Sequence, residues 1–374
     1  MASVQGRGVT VLVAPDKFKG SLTAAEVAEV VAAAFAEVAP GEPVRQLPVA
    51  DGGDGTVAAA VAAGFQRVPV RVSGPTGRRI TAYYALRGTV AVVELAEASG
   101  LHRLPGGRLE PLTASSYGTG ELIAAARAAG ATQIVLGVGG SACTDGGAGL
   151  LTALGARLLD ASGAQLPPGG AALAELSTVD LSALPEVDIV LASDVDNPLL
   201  GVDGAAVVYG PQKGAGPAEI ALLERGLTRW VEVMGSAHAT TPGAGAAGGV
   251  GFGVLTGLGA RIRPGIELLL ELLGFPAAAR DARLVVTGEG SLDTQSLHGK
   301  APVGVLRAAG GTPVVALAGR CLLSAPEWRE AGFAGVYALT DVEPDEHRCV
   351  AEARSLLRER AAQLARDFSR AIPA

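Results

Sequence analysis

Short apolar runs alternate with longer Ala- and Leu-rich stretches of helical periodicity along most of the chain. The apolar runs end in loops rich in Gly and Asp, and helical stretches follow these loops. This order predicts a mainly parallel sheet, because parallel strands need a crossover connection that is usually a helix. The pattern places strands at residues 9–13, 45–49, 133–137, 188–192, 283–287, 313–317 and 335–339, and helices at residues 23–38, 120–129, 149–159, 218–234 and 303–309.

One region has the alternation of an antiparallel meander instead. Residues 68–72, 79–86 and 89–95 are rich in β-branched and aromatic side chains and are joined by Gly-containing turns. A chain of 374 residues also has the length of two domains. We therefore expect an α/β protein with a Rossmann-like, mainly parallel domain and a second, mixed α/β domain that contains the meander. The first would comprise residues 1–65 and about 280–374, or these together with parts of 130–200, and the second about 66–279.

Composition narrows the class of protein. The net charge is −7, from 37 acidic and 30 basic residues, and no Lys/Arg-dense stripe is present, so a nucleic-acid partner is not expected. No apolar run reaches the length of a membrane span, and residues 1–8 lack a signal pattern. The three cysteines, Cys143, Cys321 and Cys349, form no Cys-x-x-Cys pair. These features predict a cytoplasmic protein with reduced thiols and no membrane partner.

Acidic residues cluster just after the predicted strands. If the strands are parallel, these carboxylates share the carboxyl edge of a sheet, where α/β proteins bind ligands. Crowded carboxylates are costly without a cation, and their hard oxygen ligands suit Mg²⁺, which commonly accompanies nucleotide phosphates. The alternative for each is an Asp-Gly turn without chemistry. The residues are Asp51, Asp54, Asp145, Asp194, Asp196, Glu289 and Asp293.

The four lysines of the chain all lie in predicted loops. Lys17 and Lys19 follow the first strand, Lys213 lies in a Gly-Pro-Gln-Lys-Gly segment, and Lys300 precedes a helix. A lysine at a helix N-terminus, together with free backbone N–H groups, suits a phosphate. The alternative for each is a solvated surface charge.

Other motifs leave weaker alternatives. The Walker-type phosphate loop is absent. The segment from Gly137 through Gly139 to Ala142 matches Gly-x-Gly-x-x-Ala, with Asp160 as a ribose ligand, and this would fit an NAD(P)-dependent oxidoreductase. Ser141 is not in a nucleophile elbow, and the four histidines lack zinc-site spacing. A non-catalytic protein that binds a small acid is a third class, which turnover would separate from an enzyme.

Taken in order, the motifs resemble the type I glycerate kinase family over nearly the whole chain. The matching stretches are residues 16–21, 50–56, 118–123, 139–147, 193–199, 210–215, 243–249, 265–268 and 287–300. The resemblance implies a two-domain α/β fold unlike that of P-loop kinases. It also implies a glycerate kinase, a phosphotransferase that moves the ATP γ-phosphoryl group to D-glycerate with Mg²⁺ and forms 2-phosphoglycerate. ATP and glycerate are then the expected partners.

Phosphoryl transfer needs positioning, charge neutralisation and a base or orienting group near the attacking hydroxyl. We therefore assign Asp194 as the base, Lys17 and Lys19 to the glycerate carboxylate or γ-phosphate, Asp196, Glu289 and Asp293 to Mg²⁺, and Lys213 and Lys300 to phosphates, with roles that can be permuted. The remaining expected substrate or phosphate contacts are Ser21, Asp51, Asp54, Ser141, Asp145, Asn197 and Gln212. The sequence leaves open which hydroxyl reacts, the nucleotide preference and the oligomeric state, including a homodimer.

Overall fold

A computed structural model describes residues 11–371, except the side chains of His298 and Ala371. Backbone contacts divide the chain into two compact units. Unit 1 combines the residues up to Asp51 with those from Ile266 onward, and unit 2 is Gly52–Gly265. The predicted boundaries near residues 65 and 280 lie some distance from these. The first two residues of the strand predicted at 9–13 lie outside the described part.

The described chain contains strands, helices and short 3₁₀ turns in alternation. The strands are β1 Val11–Val13, β2 Val44–Gln46, β3 Gln66–Ser73, β4 Arg79–Arg87, β5 Val90–Glu94, β6 Gln133–Gly137, β7 Arg157–Leu159, β8 Thr178–Asp180, β9 Asp188–Ala192, β10 Arg261–Arg263, β11 Leu284–Leu292, β12 Val314–Cys321 and β13 Gly335–Ala338. The helices are α1 Ala24–Val38, α2 Thr56–Ala62, α3 Leu95–Ser99, α4 Tyr117–Ala128, α5 Ala148–Ala153, α6 Ala205–Tyr209, α7 Pro217–Met234, α8 Ala246–Leu258, α9 Gly265–Leu272, α10 Phe275–Arg280, α11 Ala301–Ala308, α12 Ala325–Ala331, α13 Glu346–Ala351 and α14 Ala353–Ala371. The 3₁₀ turns are Leu101–Arg103, Pro105–Gly107, Gly170–Glu175, Pro211–Lys213, Ser296–His298 and Leu339–Asp341.

Unit 1 is built on a fully parallel five-stranded sheet of order β13-β12-β11-β1-β2. Helix α1 begins at a capping box, in which Thr23 and Glu26 satisfy each other's backbone N–H groups, as the sequence predicts. Its apolar face packs against α14, where the rings of Phe35 and Phe368 meet edge to face. This arrangement fits the predicted Rossmann-like, mainly parallel sheet.

Unit 2 is built on a mixed six-stranded sheet of order β10-β9-β6-β5-β4-β3. Strands β3, β4 and β5 form the predicted antiparallel meander, while β5, β6, β9 and β10 run parallel. The carboxyl ends of these four parallel strands therefore share one edge. The strands predicted at 133–137 and 188–192 are β6 and β9, and both lie in this sheet.

The helix predicted at residues 149–159 is wrong in its second half. Helix α5 ends at Ala153, and residues 157–159 form β7, which pairs with β8. Gly155 stands between them with φ +117°, a conformation that no residue of a right-handed helix adopts. Among the described helices, none is long and apolar enough to cross a membrane.

Candidate active site

Asp16 is a buried acid at the carboxyl edge of the unit 1 sheet. It follows β1, is 7% exposed, and donates its backbone N–H to Gly288 O of β11 at 2.8 Å. Burial raises the pKa of its carboxyl to about 6; the charge of Asp51 adds to the rise, and Lys17 opposes it. The carboxylates of Asp16 and Asp51 therefore repel each other within this unit.

Glu289 is the second acid with a raised pKa at this edge of the sheet. The sequence places it after the strand, but it lies inside β11, which runs on beside β12 to Leu292. Burial raises the pKa of Glu289 to about 7; Asp16 and Asp293 raise it further, while a hydrogen bond from Ser296 and the charge of Lys300 lower it. A proton or a cation would relieve this crowding.

The carboxylates of unit 1 could supply some, but not all, of the ligands of a magnesium ion. In the described chain, no group of three His, Cys, Asp or Glu side chains is placed to hold a metal. Within the same residues, Glu289 Oε1 is buried without a hydrogen-bond partner. Oxygen donors of this kind fit Mg²⁺, which is held through one or two carboxylates together with substrate phosphates. Asp196, the third predicted ligand, belongs to unit 2.

Three lysines lie in the loops around these acids. Lys17 Nζ is 3.9 Å from Asp16 Oδ1, and Lys300 Nζ is 3.9 Å from Asp293 Oδ1. Lys300 is the N-cap of α11, and Lys19 is exposed. Lysine side chains that can bind an anion therefore lie beside the same carboxylates.

In unit 2, the Gly-rich loop at Gly52–Gly55 lies on the carboxyl ends of β6 and β9. A Cβ atom on Gly52 would lie 2.7 Å from Ala192 O, and one on Gly137 would lie 2.7 Å from Gly52 O. A Cβ on Gly140 would overlap Asp54 Oδ1. Glycine is required at residues 52 and 137 because the two backbones touch there. The exposed Asp54 is thereby held beside the loop that follows β6.

Asp145 is enclosed in a hydrogen-bond network. Its carboxylate is 0% exposed and accepts hydrogen bonds from Ser116 N at 2.8 Å, Ser116 Oγ at 2.9 Å and Ser115 Oγ at 3.3 Å. The N–H groups of Gly147 and Gly149 donate to it as well, both at 3.2 Å. The side chain thus joins the loop after β6 to the start of α4, and its predicted substrate contact stays a prediction.

Lys213 is also buried, at 1% exposure. Its ammonium group donates to Cys143 O, and a Cβ on Gly248 would lie 2.8 Å from Nζ. Burial lowers the pKa of Lys213 to about 8, although Cys143 and Asp145 oppose the change. The ammonium therefore holds backbone in this structure, and its predicted phosphate contact stays a prediction.

The loop after β9 carries the predicted base. Asp194 is exposed and accepts the N–H of Gly265 at 2.8 Å; Asp196 is exposed as well. Asn197 is fixed by Tyr209, whose hydroxyl donates to Asn197 Oδ1 at 2.5 Å. The loop is thus anchored at two points while both acids reach its surface.

The remaining predicted contacts have ordinary local surroundings. Ser21 Oγ donates to Phe18 O at 3.1 Å, Gln212 is exposed, and Ser141 is 6% exposed and forms an isolated bridge with Gly100. Unit 1 carries the predicted residues Lys17, Lys19, Ser21, Asp51, Glu289, Asp293 and Lys300, and unit 2 carries Asp54, Ser141, Asp145, Asp194, Asp196, Asn197, Gln212 and Lys213.

Three residues with a part in these edges were not among the predicted ones. Asp16 lies in the same segment as Lys17, shortly after an apolar strand, and this position indicates a residue at the carboxyl edge of the sheet. Glu94 ends the apolar run of β5 with a buried acid, 4% exposed. Ser116 gave no signal, since its role depends on Asp145, which is far away in sequence.

The oxidoreductase alternative finds no support in the geometry around Asp160. The predicted dinucleotide motif needs a helix directly after the glycines, but α5 begins only at Ala148. Asp160 lies after β7 and accepts the N–H and the hydroxyl of Ser162 at 2.8 and 2.6 Å, so it closes a local turn.

Comparison with known proteins agrees with the resemblance seen in the motifs. The model of the glycerate kinase family matches residues 11–369. The chain belongs to the glycerate kinase family. It is 46% identical over 322 residues to a glycerate kinase of Bacillus subtilis strain 168. The aligned residues cover 83% of this chain and 84% of that protein. It is 44% identical to the glycerate 2-kinase of Escherichia coli strain K12, with the same coverage.

A solved structure shares the fold. The crystal structure of the putative glycerate kinase 2 from Salmonella typhimurium LT2 matches with a TM-score of 0.81 and 40% identity. The match covers 97% of this chain and 100% of that one. As a member of the glycerate kinase family, the chain is an enzyme of the phosphotransferase class with an α/β fold.

Proposed function

We propose that this enzyme transfers the γ-phosphoryl group of ATP to D-glycerate and forms 2-phosphoglycerate. The observation that carries the proposal is the group of carboxylates and lysines at the carboxyl edge of the unit 1 sheet, in a chain of the glycerate kinase family. Phosphoryl transfer asks mainly for positioning and charge neutralisation, and this set of side chains supplies both.

In unit 1, Glu289 and Asp293 are the residues that would hold Mg²⁺, and Asp196 of unit 2 remains a predicted ligand. When bound, the ion would neutralise charge on the phosphate oxygens. Lys300, at the start of α11, binds phosphate in this proposal. Lys17 and Lys19 bind the glycerate carboxylate or the γ-phosphate.

In unit 2, Asp194 acts as the base in this proposal. Its carboxylate would accept the proton of the attacking hydroxyl as the new phosphorus–oxygen bond forms and the bond to ADP breaks. Asp145 and Lys213 hold backbone of unit 2, and they keep their predicted substrate and phosphate contacts in this proposal. The three cysteines are free thiols, two of them buried, in keeping with a cytoplasmic enzyme.

The test is release of ADP from ATP, measured by a coupled assay with D-glycerate, L-glycerate, lactate and tartronate, each with and without Mg²⁺. We expect Mg²⁺-dependent turnover with D-glycerate above the other acids. Phosphorus NMR of the product identifies the phosphorylated hydroxyl. ADP release that is independent of all four acids, or a product phosphorylated at the 3-hydroxyl, contradicts the proposal.

A further inference from the structure

Glu94 is a buried acid that the proposed mechanism does not use. It is the last residue of β5, 4% exposed, and its two carboxylate oxygens accept different backbone N–H groups. Oε1 accepts from Gly55 at 3.1 Å, and Oε2 accepts from Val57 at 3.0 Å. A single side chain from a central strand thus holds both sides of Thr56, the first residue of α2.

Helix α2 has no cap of its own. Its N-cap residue is Gly55, with φ +101° and no side chain to accept a hydrogen bond. The first N–H groups of a helix have no partner within the helix, and a buried unpaired N–H is costly. Glu94 supplies from β5 the acceptors that a capping Ser or Asp would supply from within the loop.

The loop before α2 is poorly fixed by its own sequence. Gly52 and Gly55 both have positive φ, and glycine gains the most conformational freedom when its contacts are lost. Gly53 is held locally, because its carbonyl accepts the Thr56 hydroxyl at 2.7 Å. Asp54 lies between these glycines. The backbone that carries its carboxylate is held on one side at Gly55, whose N–H donates to Glu94.

We infer that Glu94 is a positioning residue, which fixes the Gly52–Gly55 loop so that Asp54 stands at a set place for substrate. This assignment rests on the proposed function for the role of Asp54, but not for the hydrogen bonds themselves. Ionised Glu94 accepts both N–H groups, whereas a protonated carboxyl would use one oxygen as a donor.

The charges around Glu94 are compatible with this switch of hydrogen bonding. Burial raises the pKa of Glu94 to about 7; the hydrogen bonds from Val57 and Gly55 oppose the rise, and Glu97 and Asp54 add to it. The groups that face it are therefore an acid on α3 and the acid of the loop. Because this pKa lies above the ordinary value of 4.5, a loop opening that exposes Glu94 releases its proton between about pH 4.5 and 7, so the free energy of opening should fall as the pH rises through this window.

The test compares Glu94→Gln with the matched variant Glu97→Gln in full-length enzyme. Glutamine keeps the size but replaces one acceptor by an NH₂ donor that faces an N–H group. We expect kcat/KM with MgATP and D-glycerate to fall about 10- to 100-fold, because small displacements of a substrate contact cost this much. Glu97 contacts Tyr83 N and Arg103 but not the loop, so Glu97→Gln should keep wild-type kcat/KM.

Hydrogen exchange supplies the readout that does not depend on turnover. In Glu94→Gln, the amides of Gly55 and Val57 should lose protection while those of β5 and β6 keep it. If Glu94→Gln fails to fold, the same amides in the wild-type protein, corrected for intrinsic exchange, should lose protection as the pH rises from about 5 to 7, and protection that does not vary with pH would overturn the inference. Wild-type kcat/KM with unchanged protection in a folded Glu94→Gln protein would overturn the inference. Absence of glycerate turnover in the wild type would instead count against the proposed function and leave the exchange result decisive.

Discussion

Asp194 combines two roles that a substitution can separate. Its carboxylate reaches the surface, as a base for a substrate hydroxyl must, and it also accepts the N–H of Gly265. An amide oxygen can accept that hydrogen bond nearly as well as a carboxylate, whereas an amide has no basicity at neutral pH. Asparagine therefore keeps the anchoring contact and removes only the chemistry.

We predict that Asp194→Asn lowers kcat by about 10² to 10⁴-fold, the usual value of a general base. KM for D-glycerate should change little, since the binding contacts remain. Steady-state kinetics at saturating Mg²⁺ checks this. The matched control is Asp203→Asn, an exposed acid of the same loop, which should keep wild-type rates.

Two results would assign Asp194 differently. A near wild-type kcat in Asp194→Asn would leave only the anchoring of Gly265. Recovery of kcat at raised Mg²⁺ would place the carboxylate at the metal instead.

The lowered pKa of Lys213 predicts that the free energy of unfolding depends on pH in the alkaline range. Its folded-state pKa of about 8 is below the ordinary value of 10.5, so between these pH values the unfolded chain binds a proton that the folded chain has lost. The free energy of unfolding therefore rises with pH across this window, and the cost of the buried charge is fully present below it. Each pKa unit corresponds to about 1.4 kcal/mol, so the contribution is on the order of 3 kcal/mol.

The measurement is urea unfolding of wild type and Lys213→Met from pH 7.5 to 10.5. The difference between the two proteins isolates Lys213, because other titrating groups are shared. Wild type should gain stability relative to the variant as the pH rises. A difference that does not vary with pH would mean that Lys213 titrates alike in both states.

At the scale of elements, the turn at the start of α8 contains three consecutive residues in the left-handed region. Ala247, Gly248 and Gly249 have consecutive positive φ values of 54°, 71° and 89°. A Cβ on Gly248 would overlap Cys143 O and lie 2.6 Å from Thr144 Cα. The turn thus packs directly on the loop after β6, where Lys213 also donates its hydrogen bond.

We predict that Gly248→Ala destabilises the fold by about 2 to 5 kcal/mol, as the sum of left-handed strain and overpacking. Ala247→Gly is the matched control. It relieves one left-handed alanine but loosens the unfolded chain, so its net effect should be below about 1 kcal/mol. Denaturant unfolding of both variants checks the pair, and equal midpoints would contradict the packing described for Gly248.

The sequence predicted those elements whose signals are local. The capping box at Thr23 and the strand β6 are readable because the residues that determine them are neighbours. The helix predicted at 149–159 failed because Gly155, which ends it, looks like a tolerated helical glycine until its φ is known.

The candidate site was predictable only in composition. Polar residues after apolar strands were found, but the sequence could not tell an enclosed acid from an exposed one. Asp145 is enclosed because Ser115 and Ser116 approach it from a distant part of the chain. Lys213 is buried for a similar reason, since Cys143 O lies 70 positions away. Burial of this kind is decided by tertiary packing, which hydrophobic periodicity does not describe.

At the scale of the whole molecule, the two units differ in how the chain builds them. In unit 1, β1 pairs with β11, so that Val11 lies beside Leu284. Unit 2 is a continuous segment, Gly52–Gly265, with its own six-stranded sheet and its own buried core around residues such as Trp230 and Phe252. A continuous segment with a complete core can fold alone.

We therefore predict that a fragment of residues 52–265 unfolds cooperatively in urea, with the secondary structure of unit 2. The matched fragment is 66–279, the segment that the sequence pattern favours. It lacks α2, whose Val57 and Ala60 are buried, and it removes the two N–H donors of Glu94. Loss of apolar burial and of two hydrogen bonds both destabilise, so fragment 66–279 should unfold at lower urea or expose apolar surface without denaturant. Circular dichroism and dye binding on both fragments compare them. Equal or greater stability of 66–279 would show that the loop and α2 belong with the other unit, and an unfolded 52–265 would show that unit 2 depends on the rest of the chain.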